Sequence, residues 1–125
     1  MKKWGVEYTD ELGQWWRTLS EDEQVSVAKV VGLLEDFGPR LGFPYSSGIV
    51  SSRHAQMREL RIQHQGRPYR VLYAFDPGRM AILLLGGDKT GQDRWYDVHV
   101  PIADRLYEEY LEEIRHQESS NGKKI

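Results

Sequence analysis

Two tight turns, eleven residues apart, constrain the fold of this chain more than any other feature. Gln65-Gly66 and Asp76-Pro77-Gly78 are turn-forming sequences that separate three runs of strand character, residues 57–64, 67–75 and 79–85. Strands joined this closely run antiparallel, because a parallel pair needs a crossover of a dozen residues or more. The third run is apolar at successive positions, as a strand covered on both faces would be. A two-residue loop at Gln65-Gly66 sets His64 opposite Arg67, and each later pair follows: Ile62 faces Tyr69, Leu60 faces Val71, Glu59 faces Leu72, and Arg61 faces Arg70. One face of the hairpin is then apolar. The other opposes two arginines, which is destabilising unless Glu59, solvent or a bound anion offsets it.

Helical spacing flanks this meander. Residues 4–8 read as a short strand, with Trp4, Val6 and Tyr8 on one side. Thr9-Asp10 starts a helix on which Leu12, Trp15, Trp16 and Leu19 recur. Ser20 and Glu23 have the spacing of a capping box, and Val27, Val30, Val31, Leu34 and Phe37 form the stripe that follows. Gly38-Pro39 ends that helix. Residues 40–55 are rich in Gly, Pro and Ser without a period and read as one long loop, and residues 86–97 as a second irregular stretch. Pro101 suits the first turn of a last helix carrying Leu106, Tyr107, Tyr110, Leu111 and Ile114. The expectation is a single α+β domain over residues 1–117, with a polar tail at 118–125. A strand and a two-helix hairpin cover one side of a small, mainly antiparallel sheet, whose other side stays partly open.

The chain has 125 residues and no cysteine, which excludes disulfides, thiolate metal sites and a cysteine nucleophile. Its first eight residues lack the apolar core of a signal peptide, and its longest apolar run, residues 80–85, is far short of a membrane span. A soluble cytoplasmic protein is expected. The net charge of −2 conceals an uneven distribution: residues 53–94 hold eight Lys/Arg against four acids. Such a basic centre between acidic flanks is what a local anion site looks like. Gly86-Gly87-Asp88-Lys89-Thr90-Gly91 suggests a phosphate loop, but Asp88 stands where the Walker pattern needs glycine, so nucleotide hydrolysis is excluded. What remains is glycines that would let backbone approach an anion, with Lys89 as a point charge. His54, His64, His99 and His116 make no metal-ligand pair; His54 and His64 stay candidates for acid–base work. Tyr96, in the irregular stretch, is a candidate for base stacking or proton transfer.

Taken in order, Glu59-Leu60-Arg61, Tyr69-Arg70-Val71-Leu72-Tyr73, Leu84-Leu85-Gly86-Gly87-Asp88-Lys89-Thr90 and then Tyr96 resemble the RelE/HigB superfamily of toxins from toxin–antitoxin modules. Phe37-Gly38-Pro39 and the Gly-Asp-Lys-Thr run are similar to its phage-derived HigB-like branch. The resemblance implies a metal-independent endoribonuclease without cofactor, cutting mRNA in the ribosomal A site through attack by the substrate's own 2′-OH. It implies Arg61, Arg70, Lys89 and Tyr96 as catalytic residues. Arg53, His54, Arg58, His64, Arg67 and Arg94 follow as RNA-binding candidates. The partners implied are mRNA, the ribosome and a cognate helix-turn-helix antitoxin, through which alone operator DNA is met; no membrane is involved. RelE places paired lysines before its hairpin where this chain has Arg58-Glu59, and which residue is base and which acid stays open. The alternatives are a ParE-like inhibitor of DNA gyrase, which acts by binding, and an inactive module whose cations dock an acidic antitoxin segment.

Overall fold

A computed structural model describes residues 3–122 of the chain. In chain order they form β1 (Gly5–Tyr8), α1 (Asp10–Thr18), α2 (Glu21–Phe37), β2 (Ser46–Gly48), β3 (Arg58–His64), β4 (Arg67–Phe75), β5 (Met80–Asp88) and α3 (Trp95–Gly122), with a 3-10 turn at Gly38–Arg40. The five strands make one sheet in the order β1-β5-β4-β3-β2. All neighbours are antiparallel except β1 and β5, which run parallel.

Local chemistry sets these boundaries. The Thr9 hydroxyl accepts the Leu12 N–H at the head of α1 and donates to the Leu84 carbonyl, fastening the helix to β5. At α2 the Ser20 hydroxyl accepts from Glu23 N while the Glu23 carboxylate accepts from Ser20 N, at 3.2 and 2.7 Å, so the expected capping box is complete. Gly38 closes α2 with φ +56°, and a Cβ there would lie 2.2 Å from the Trp4 ring. Conformation and space both demand glycine at this position. Gln65 and Gly66 have φ of +51° and +78°, the signature of a two-residue hairpin turn. The expected register follows throughout β3–β4, including Leu60 with Val71 and Arg61 with Arg70.

Helices pack on both faces of the sheet, and the face expected to stay partly open carries α3. Leu12, Val27, Val30 and Leu34 of α1 and α2 pack on Leu60, Ile62, Tyr69, Val71 and Tyr73. On the other face Trp95, Val100, Ala103, Leu106 and Tyr107 of α3 pack on Leu72, Ala74, Ile82 and Leu84. Central β4 is therefore buried from Tyr69 to Ala74. Because α3 packs on β5 and β4, the second face keeps an accessible margin at β3, where Arg61 has 29% of its side chain exposed.

Three local readings also change. The loop expected at 40–55 contains β2, a three-residue strand paired to β3 with Ser46 opposite Leu60. Three residues rich in serine and glycine carry no periodic signal; pairing and the 2.6 Å hydrogen bond shared by Ser46 and Tyr73 hold them. β5 runs on to Asp88 through glycines expected to be irregular. A Cβ on Gly86 would meet Trp15 at 2.3 Å, and one on Gly87 would meet Trp95 at 2.8 Å. These glycines make room for an indole on each face of the sheet, rather than for an anion. Finally α3 begins at Trp95, so Pro101 lies inside the helix instead of in its first turn, and the helix continues to Gly122 through most of the expected tail. Buried Trp95 fixes the earlier start. The rest of the tail, residues 123–125, lies outside the described residues.

Candidate functional site

The opposed arginines find their offset in Glu59. Side chains alternate across a strand, so Glu59 and Arg61 share the face that Arg70 occupies on β4. The Glu59 side chain is only 5% exposed, and both its oxygens are taken. Oε1 accepts the Tyr96 hydroxyl at 2.6 Å and lies 3.4 Å from Arg70 Nε. Oε2 accepts Ser47 Oγ at 2.8 Å and Arg61 Nη1 at 3.1 Å. Ser47 comes from β2, directly opposite Glu59 in the register, and Tyr96 from the first turn of α3. Four elements thus meet at one carboxylate. Arg70, with 6% of its side chain exposed, is fixed further by donating to the Tyr69 carbonyl at 3.0 Å. Arg61 is the more accessible guanidinium of the pair.

Beside this cluster the strand-to-helix connection forms a cleft of about 490 Å³ lined by Pro68, Lys89, Thr90, Gln92, Asp93 and Tyr96. The Asp88 carboxylate shapes it, accepting the Thr90 N–H at 3.0 Å and the Thr90 hydroxyl at 2.6 Å and pairing with Arg67. Burial alone would raise the Asp88 pKa, but the Thr90 hydrogen bonds and Arg67 hold it below the ordinary carboxylate value. The turn presents Lys89, whose Nζ lies 5.3 Å from the centre of the Tyr96 ring, at cation–π distance. Tyr96 therefore joins two environments, its ring in the cleft and its hydroxyl on the buried carboxylate. Burial raises the Tyr96 phenol above its usual pKa, and the hydrogen bond to Glu59 adds to this. At neutral pH it is a proton donor.

Of the ten residues expected at a site, Arg61, Arg70, Tyr96 and Lys89 converge here. The others are distributed elsewhere. Arg53 and His54 both meet Glu108 on α3, each at 2.8 Å. Arg58 donates to Ser46 Oγ, and His64 shares a 2.7 Å hydrogen bond with Ser26 of α2, on the opposite face of the sheet. Arg67 bridges Asp88 and Glu23 at the end of that face. Arg94 is exposed beside Asp97. Among the described residues, no three potential metal ligands gather. Glu59 and Ser47 were missing from the expected set. The register already placed Glu59 beside the arginines, whereas nothing in the sequence marks Ser47 without β2.

Comparison with known proteins assigns this architecture to a family. Residues 14–108 match the family described as phage derived protein Gp49-like. The chain is 45% identical over 102 residues to a Mycobacterium tuberculosis protein named "Putative toxin HigB3", covering 81% of this chain and 88% of that one. It is 38% identical over 104 residues to "Putative toxin HigB2" of the same organism, spanning 82% of this chain but only 52% of that longer relative. Among solved structures, the archaeal RelE–RelB complex of Pyrococcus horikoshii superposes with a TM-score of 0.53 over 71% of this chain and 97% of that chain, at 13% identity, a likeness of fold alone. With family match, relatives and fold in agreement, the chain belongs to the phage-derived Gp49-like family of the RelE/HigB toxin superfamily.

Proposed function

We propose that this toxin is a metal-independent endoribonuclease that cleaves mRNA, at the ribosomal A site, and that a cognate antitoxin neutralises it. The observation that carries this reading is the gathering of Arg61, Arg70 and Tyr96 on the Glu59 carboxylate, with Lys89 against the Tyr96 ring. The RelE–RelB complex among its structural neighbours and the HigB names of its relatives support the antitoxin.

RNA cleavage without a metal proceeds by attack of the substrate's 2′-oxygen on the adjacent phosphorus. The 2′-OH loses its proton, the bond to the 5′-oxygen breaks, and the leaving 5′-oxygen takes up a proton, giving a 2′,3′-cyclic phosphate and a 5′-hydroxyl. Holding the reacting atoms in line supplies much of the rate. Arg61 and Lys89, the accessible cations flanking Tyr96, meet the scissile phosphate and the charge that grows on it. Tyr96, kept protonated, donates toward the leaving oxygen. The 2′-OH proton passes to water, and solvent returns a proton to Tyr96 after the step; Glu59 holds the Tyr96 hydroxyl in place, while Arg70 balances the charge of the carboxylate. Arg70 is thus a positioning residue, and Arg61, Lys89 and Tyr96 touch the substrate.

The test is a defined mRNA translated by purified components, assayed by primer extension, with DNA supercoiling by gyrase assayed in parallel. Cleavage at discrete codons with supercoiling intact supports the ribonuclease. Intact mRNA with inhibited supercoiling overturns it in favour of gyrase.

A further inference from the structure

We propose that Phe43 is a stacking platform for an unpaired nucleobase of the RNA, next to the phosphate held by Arg61. This inference rests on the ribonuclease reading and names how that site grips its substrate. Phe43 is 76% exposed, a large apolar ring set out toward solvent. The Arg61 guanidinium lies 5.2 Å from the ring centre on one side. A ring so exposed leaves its other side open to solvent. Phe43 is also firmly placed. The Gly42 carbonyl accepts the N–H groups of both Tyr45 and Ser46 at 3.0 Å, closing a turn around Phe43-Pro44. Tyr45 O then accepts the Arg61 N–H at 2.8 Å, fastening that turn to β3 at Arg61 itself.

Ring, guanidinium and carboxylate therefore stand in one row: Phe43 against Arg61, Arg61 on Glu59, and Glu59 on Tyr96. A phosphate at Arg61 places the base of the same or the next nucleotide within reach of the ring. Aromatic side chains beside cations are how proteins hold unstacked bases of single-stranded RNA, and every base offers a π face. The ligand class is thus an unpaired nucleotide, without demand for a particular base. Lone apolar residues on a surface need no explanation; here the fastened turn and the facing guanidinium supply one.

The experiment measures single-turnover cleavage of a defined mRNA on programmed ribosomes by the full chain, comparing wild type with Phe43→Leu, Phe43→Tyr and Phe43→Trp. Loss of stacking predicts a Leu variant slowed roughly 5- to 100-fold, with the Tyr and Trp variants within about twofold of wild type. Removing one base from the mRNA beside the scissile phosphate slows wild type to the level of the Leu variant and slows that variant no further. A Leu variant as fast as wild type, or equally sensitive to the missing base, overturns the proposal. So does a Leu variant that cleaves normally but loses antitoxin binding, which assigns Phe43 to a protein partner. Wild type that fails to cleave any mRNA refutes the ribonuclease reading itself, whereas cleavage indifferent to Phe43 refutes only the stacking.

Discussion

A carboxylate shared between two arginines, a tyrosine and a serine couples the candidate site to the stability of the fold. Taking a partner from a buried ion pair leaves an uncompensated charge, which costs about 3–5 kcal/mol. Glu59→Ala strips both arginines of their shared acceptor and is expected to destabilise the chain by about that amount in urea unfolding. Arg61→Ala removes a partly exposed guanidinium and should cost no more than about 1 kcal/mol. A second carboxylate responds to pH. The Tyr69 phenol, then the Ser20 N–H, lower Glu23 to a pKa of about 2 against an ordinary 4.5. The native state therefore binds this proton less readily than the unfolded chain. Stability from Glu23 is complete above about pH 4.5 and is lost as the pH falls toward 2. Both Glu23→Gln and Tyr69→Phe should flatten that acid limb in pH-resolved denaturation, and a variant keeping the full wild-type slope would show that the carboxylate is not the cause. Tyr69 itself is raised to about 12, by burial first and then by Glu23, so it opposes unfolding up to about pH 10 and its contribution fades as the pH approaches 12.

At the scale of elements, β5 shows how a functional-looking motif serves packing. Gly86→Ala drives a methyl into Trp15, and overpacking of this kind costs about 1–3 kcal/mol. Thermal denaturation should show Gly86→Ala well below wild type, and Gly86→Ala with Trp15→Leu partly restored; a fully stable single variant would contradict the packing role. Elements with a strong local signal were legible from sequence: the Ser20–Glu23 box, the Gly38 stop, and the Gln65-Gly66 turn that set the β3–β4 register and with it the Arg61–Arg70 pair. Elements made by tertiary contact were not. β2 exists because β3 offers an edge to pair with and Tyr73 offers Ser46 a hydroxyl. The start of α3 at Trp95 depends on an indole buried against Gly87, which no local pattern announces. The site was half legible for the same reason: its arginines follow from the register, but Ser47 needs β2, and Glu59 gains its meaning only when Tyr96 is brought to it from 37 residues away.

Over the whole molecule, helices on both faces leave one margin of the sheet accessible, and the candidate site lies there, between the β2–β3 edge and the head of α3. Cations that the sequence spreads over residues 53–94 scatter in the fold: some lie at this margin, Arg67 meets Glu23 of α2, Arg53 meets Glu108 of α3, Arg79 lies over Trp4 and Arg94 pairs with Asp97. The cluster around Glu59 is where their charge is organised around a tyrosine, and the central claim is that this arrangement cleaves RNA. Its most direct test is the single-turnover rate of mRNA cleavage on programmed ribosomes for wild type, Arg61→Ala, Lys89→Ala and Tyr96→Phe, each first shown to be folded. Losses of about 100-fold or more for Tyr96→Phe, and at least 10-fold for each cation, are the expected result. Folded variants that cleave at the wild-type rate would contradict the account and place the chemistry elsewhere on the molecule.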